Sequence, residues 1–100
     1  MAQVFHFGPY FWASDPGLTP GAQHSWSFGP NPGLSRSGLV ATAHPEPGID
    51  QPIRQDRRLT VAMIQSHRTV TDQHFVHIFV RNVGSQPVGW YSLWLSAINP

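Results

Sequence analysis

The run His74-Phe75-Val76-His77-Ile78-Phe79-Val80-Arg81-Asn82-Val83 limits the folds open to this chain more than any other feature. Six of its ten residues are Val, Ile or Phe, and none is Gly or Pro. β-Branched and aromatic side chains lose rotamer freedom on a helix and fit the pleated surface of a strand, so the run is extended. Alternation divides it into two faces, Val76, Ile78 and Val80 on one and Phe75 and Phe79 on the other. An antiparallel sheet with one wet face is apolar on one side only. This strand therefore predicts a covering layer on each side, drawn from the same chain or from another molecule.

The flanking segments carry the same period. Leu59, Val61 and Met63 alternate within Arg58–Arg68, and the polar Thr69-Val70-Thr71-Asp72-Gln73 turns that strand into the central run as a hairpin. Gly84-Ser85-Gln86-Pro87 breaks the run, and Val88–Ile98 follows as a further strand. Here Tyr91, Leu93, Leu95 and Ala97 oppose Trp90, Ser92, Trp94 and Ser96. Read in order, these three strands make an antiparallel meander.

The first part is more punctuated. Of nine Gly and ten Pro residues, fifteen fall within residues 1–57. Gln3–Phe7 is a strand ended by Gly8-Pro9, with Tyr10-Phe11-Trp12 continuing past a bend. Asp15-Pro16-Gly17, Thr19-Pro20-Gly21 and Gly29–Gly33 read as turns. Gln23–Phe28 and Ser37–His44 alternate as strands, with Trp26 and Phe28 sharing a face. Residues 45–57 lack a period and read as a surface crossover or edge segment. The sum is one domain over residues 1–100, an all-β antiparallel sandwich of about six or seven short strands with no amphipathic helix.

Composition narrows the function. Charged residues are 11% of the chain and the formal net charge is +1, which argues against nucleic-acid and anionic-membrane partners. With no Cys, disulfides, thiolate zinc sites and cysteine nucleophiles are excluded. No apolar run approaches the roughly 20 residues of a membrane span. Met1–Pro9 lacks the basic and apolar regions of a readable secretory signal, and the compartment stays open.

Catalytic chemistry finds little support. Asp15, Glu46, Asp50, Asp56 and Asp72 all sit in turn or loop contexts. There is no Gly-x-Ser-x-Gly elbow and no glycine-rich phosphate loop. Of six His, His74 and His77 face opposite sides of one strand, and no His-x-His pair exists. Depending on register, His67 lies across from Val76, beside His74 and His77. These three carry a second reading, a His-based metalloprotein or small enzyme. The leading expectation has no catalytic residue, metal or cofactor.

His77-Ile78-Phe79-Val80-Arg81-Asn82-Val83-Gly84-Ser85-Gln86-Pro87-Val88 resembles the hydrophobic strand and Asn-x-Gly-Ser-x-Pro turn of immunoglobulin-like modules in bacterial surface proteins, such as the adhesin module abbreviated CARDB. The resemblance implies an immunoglobulin-like sandwich with Val76, Ile78 and Val80 inward and a turn at Asn82 to Gly84. It also implies that Tyr91-Ser92-Leu93-Trp94-Leu95 is the partner strand, and that the role is binding or structural. The residues themselves point to aromatic contacts: Trp90, Trp94, Phe75, Phe79 and His77. Phe5, Phe7, Tyr10, Phe11 and Trp12 are expected to fold across that face. Otherwise it meets a second copy in a homo-oligomer, or a glycan, lectin-like, or another protein surface. A third reading is a structural spacer within a larger protein.

Overall fold

Apolar alternation resolves into six strands in the computed structural model, which describes residues 3–46 and 56–99. They are β1 (Gln3–Leu18), β2 (Gln23–Phe28), β3 (Gly38–Pro45), β4 (Leu59–Arg68), β5 (His74–Asn82) and β6 (Val88–Asn99). A single 3-10 turn, Pro32–Arg36, joins β2 to β3, and the Asn31 side chain caps it by accepting from the Gly33 N–H at 3.0 Å. The described residues contain no α-helix. Two antiparallel sheets, β1-β6-β3 and β2-β5-β4, stack as a sandwich.

The core lies where the two central strands face each other. Val76, Ile78 and Val80 of β5 and Tyr91 and Leu93 of β6 are fully buried, and Leu95 and Ala97 nearly so. Of the two apolar faces into which alternation divides β5, the Val76, Ile78 and Val80 face is the inner one. The meander is not formed. The loop after β5 carries the chain across the sandwich, and β6 pairs with β1 and β3 rather than with β5. Period two specifies which side of a strand is apolar, not which strand lies beside it. The apolar face of β6 is satisfied equally well by opposing β5. Asn82 fixes the crossing. Its amide donates to Leu18 O (2.9 Å) and Gln86 O (2.8 Å), and its oxygen accepts from the Gly84 N–H at 2.9 Å.

Punctuation within β1 does not end it. Its pairing with β6 shifts register between Phe7 and Tyr10 and again between Ala13 and Leu18, so Gly8-Pro9 and Asp15-Pro16-Gly17 are irregularities within one strand. An edge strand tolerates Pro because its outward N–H has no ladder partner to lose. Gly8 has φ +91°, and a Cβ there would lie 3.0 Å from Leu93 O. Gly29 has φ +133°, and a Cβ would lie 2.8 Å from His74 O. The two Phe-Gly-Pro segments thus bring glycine backbone against a neighbouring strand in the same way.

In β4 the register shifts between Val61 and Met63. Leu59 and Val61 point inward, but Met63 is turned outward and Ile64 takes its place opposite Ile78. The hairpin pairs Arg68 with His74, so His67 lies across from Phe75 rather than Val76.

The N-terminal aromatics do not cover an outer face. As part of an edge strand, Phe7, Tyr10 and Trp12 turn between the sheets, and Phe11 turns out beside Trp90 with ring centroids 6.3 Å apart. Along one side of the sandwich the edges β3 and β4 come together. Along the other, β1 and β2 stand apart and aromatic side chains bridge them. Of the segment 45–57, residues 47–55 lie outside the described residues.

Candidate binding surfaces

The five predicted contact residues fall on two opposite surfaces. Trp90 and Trp94 project from the outer face of the β1-β6-β3 sheet, whereas Phe75, His77 and Phe79 project from the outer face of β2-β5-β4. They do not make one site, because β5 and β6 belong to different sheets.

On the first surface, large apolar groups from all three strands are open to solvent: Phe11 is 57% exposed, Val4 and Val40 53%, Trp94 46% and Ile98 40%. Trp94 lies at the middle of the central strand, between Trp90 and Ile98. Its indole N–H donates to Ser92 Oγ at 3.0 Å, and Ser92 Oγ donates to Glu46 Oε1 at 2.7 Å. That chain fixes the indole and leaves its face toward water. Polar groups fill the gaps, with His6 Nδ1 2.8 Å from Ser96 Oγ and His44 Nε2 3.2 Å from Thr42 Oγ1. Glu46 is a carboxylate at the rim.

The second surface is more polar. Ser27 Oγ lies 2.8 Å from His77 Nδ1, and His77 Nε2 lies 3.0 Å from His67 Nδ1, a row crossing all three strands. Phe75 stands parallel to His77, ring centroids 6.4 Å apart, and Phe75 and Phe79 are half-buried along their own sheet. The row has the connectivity of a hydroxyl, a base and an orienting group. It lies on the outer face of the sheet, where both contacts are exposed to solvent. His74 points the other way, into the sandwich, with Nε2 2.7 Å from Ser66 Oγ and Nδ1 without a partner. The three histidines of the metal reading are therefore split between core and surface. Among the described residues no three His, Asp or Glu groups gather where a metal could be held.

A third surface was not anticipated. In the gap between β1 and β2, Trp12, His24, Ser25 and Trp26 line a cleft of about 300 Å³. Tyr91 reaches it from the core. The Trp26 indole N–H donates to Tyr91 Oη at 2.8 Å, and His24 Nδ1 lies 3.0 Å from the same oxygen. Tyr91 Oη thus accepts from Trp26 and shares a hydrogen bond with Nδ1 of His24, joining the two side chains. Burial pushes the His24 pKa down and keeps the ring neutral, and burial pushes the Tyr91 hydroxyl up. Trp12 meets His24 edge-on at 4.3 Å and Tyr91 at 5.4 Å, while Tyr10 bridges Trp26 (6.2 Å) and Phe28 (5.2 Å). Alternation of His24, Trp26 and Phe28 was the available signal. Their partners on β1 and β6 are too distant in sequence for a pattern to join them.

No family model, curated protein or solved structure matches the chain.

Proposed function

We propose that this is a non-enzymatic assembly module that self-associates through the outer face of the β1-β6-β3 sheet. One observation carries the reading: Val4, Phe11, Val40, Trp94 and Ile98 are all 40% exposed or more on one sheet face. Contiguous apolar surface of this kind marks interaction sites in folded proteins. Three strands, over the nine residue steps from Val4 to Ala13, present a face of roughly 14 Å by 30 Å. Two copies stacked face to face bury about 800–900 Å², just under the roughly 1,000 Å² of a stable specific interface, which fits a concentration-dependent dimer. A second copy suits the flatness of the face, because sheets stack through interdigitated side chains. Self-complementarity follows from Trp94 being central: a two-fold axis through it sets indole against indole, an aromatic anchor where interfaces concentrate their energy. The Ser27–His77–His67 row, open on the opposite surface, adds no support for catalysis. A binding or structural role is also what the resemblance to immunoglobulin-like surface modules implies.

Light scattering over a concentration series tests the reading. The chain is expected to approach twice its 11.1 kDa mass, and the Val40→Glu/Ile98→Glu variant to remain a monomer. A wild-type protein that stays monomeric at millimolar concentration, or a variant that dimerises as the wild type does, overturns it.

A further inference from the structure

We propose that the cleft between β1 and β2, where Trp12 and Trp26 flank His24 and Ser25, binds an uncharged saccharide. This site lies on the open side of the sandwich, away from the self-association face, and neither proposal depends on the other. Its volume of about 300 Å³ is at the lower end for small-molecule sites, which suits a ligand of one or two rings at this position.

Three properties of the lining select the ligand class. Among the described residues no charged side chain lines the cleft, and His24, desolvated by burial, has its pKa pushed down toward the neutral ring. A charged ligand would leave water without meeting an opposite charge. The walls are aromatic, and the apolar C–H face of a pyranose packs against an indole as another apolar ring does. The cleft also offers hydrogen-bonding groups. Trp12 Nε1–H has no hydrogen-bond partner among the described residues, and the Tyr91 contact engages only Nδ1 of His24. An indole N–H and an imidazole nitrogen beside aromatic faces call for a ligand with both apolar faces and hydroxyl groups. Hydrocarbon supplies only the first, and a quaternary ammonium supplies no acceptor and adds positive charge next to the N–H dipoles.

The cleft also has a continuation. Farther along the same side, Phe7, Tyr10, Phe28 and Asn31 line a second hollow of about 270 Å³. From His24 to Phe28 the strand advances about 13 Å, so linked sugars can follow it.

Titration with cellotetraose, xylotetraose, mannotetraose and chitotetraose tests the assignment, read by tryptophan fluorescence and by the four indole N–H resonances. At least one is expected to bind saturably, shifting the Trp12 and Trp26 indoles and leaving Trp90 and Trp94 in place. Trp12→Phe, which keeps a ring in the packing but removes the indole N–H, is expected to weaken binding about tenfold. Trp94→Ala is expected to leave it unchanged. The assignment is overturned by a lack of saturable response to all four sugars, by shifts confined to Trp90 and Trp94, by unchanged affinity in Trp12→Phe, or by tighter binding of tetramethylammonium.

Discussion

Replacing Asn82 with Ala tests how the chain is made to cross from one sheet to the other. The side chain is fully buried and makes three hydrogen bonds, to Leu18 O, Gln86 O and the Gly84 N–H, at 2.8–2.9 Å. At about 1 kcal/mol net for each bond, the variant loses about 3 kcal/mol. Leu18 is itself buried, so its carbonyl has no ready access to water in compensation. In a domain of this size 1 kcal/mol corresponds to about 4–8 °C, and the melting temperature falls by about 12–24 °C. Urea denaturation followed by tryptophan fluorescence measures the change, with an unaltered m-value showing that the native state remains as compact. Asn82→Asp is the sharper control. It keeps the acceptor for Gly84 but faces two carbonyl oxygens with a carboxylate. It is expected to be less stable than Asn82→Ala at neutral pH and to recover as acid protonates it, because only the protonated form can donate. A loss below about 0.5 kcal/mol for Asn82→Ala, or an Asn82→Asp variant as stable as wild type, refutes the role given to this residue.

Tyr91→Phe removes the oxygen shared by Trp26 and His24, and is expected to destabilise by about 1–2 kcal/mol in the same urea assay. His24 supplies a pH dependence. Burial lowers its folded-state pKa below the ordinary 6.5, so the unfolded chain takes up the proton first as pH falls. Stability from the neutral ring is complete above about 6.5 and is lost as pH drops through the lower folded-state value. Between about pH 8 and about pH 5, wild type should therefore lose more stability than His24→Gln, and equal losses would contradict the neutral assignment. Asp72 sits at φ +66° in the β4–β5 turn, where Thr69 N–H donates to Gln73 O at 2.9 Å. Asp72→Gly is expected to raise stability by about 0.5 kcal/mol by thermal melting. The exposed Arg68–Asp72 ion pair it removes contributes little.

Strand content was readable because alternation is a local property. The bounds of β2 match the predicted Gln23–Phe28, and the two faces into which the period divides β5 and β6 are the inner and outer faces of their sheets. Pairing was not readable. Tyr91, Leu93 and Leu95 have the same alternation whether β6 lies beside β5 or opposite it, so the meander and the sandwich crossing look alike in sequence. The period showed two apolar faces on each of these strands, but without pairing Trp94 and Phe75 could not be assigned to different surfaces. Met63 continues the period of Leu59 and Val61 by sequence, and only the irregularity at Ala62 turns it outward. The cleft was hidden for the same reason. Trp12, His24 and Tyr91 come together through two different sheets, and nothing local to any of them records that. Punctuation misled at Asp15-Pro16-Gly17, where an edge strand absorbs what a central strand would not.

Which surface meets a second copy is read directly by an isotope-filtered NOE spectrum of mixed labelled and unlabelled protein. Intermolecular contacts are expected from the Val4, Val40 and Ile98 methyl groups to the Trp94 indole. Contacts made instead by Met63, Phe75 and Phe79, or none in a sample that tumbles as a monomer, would rule out self-association through the β1-β6-β3 face.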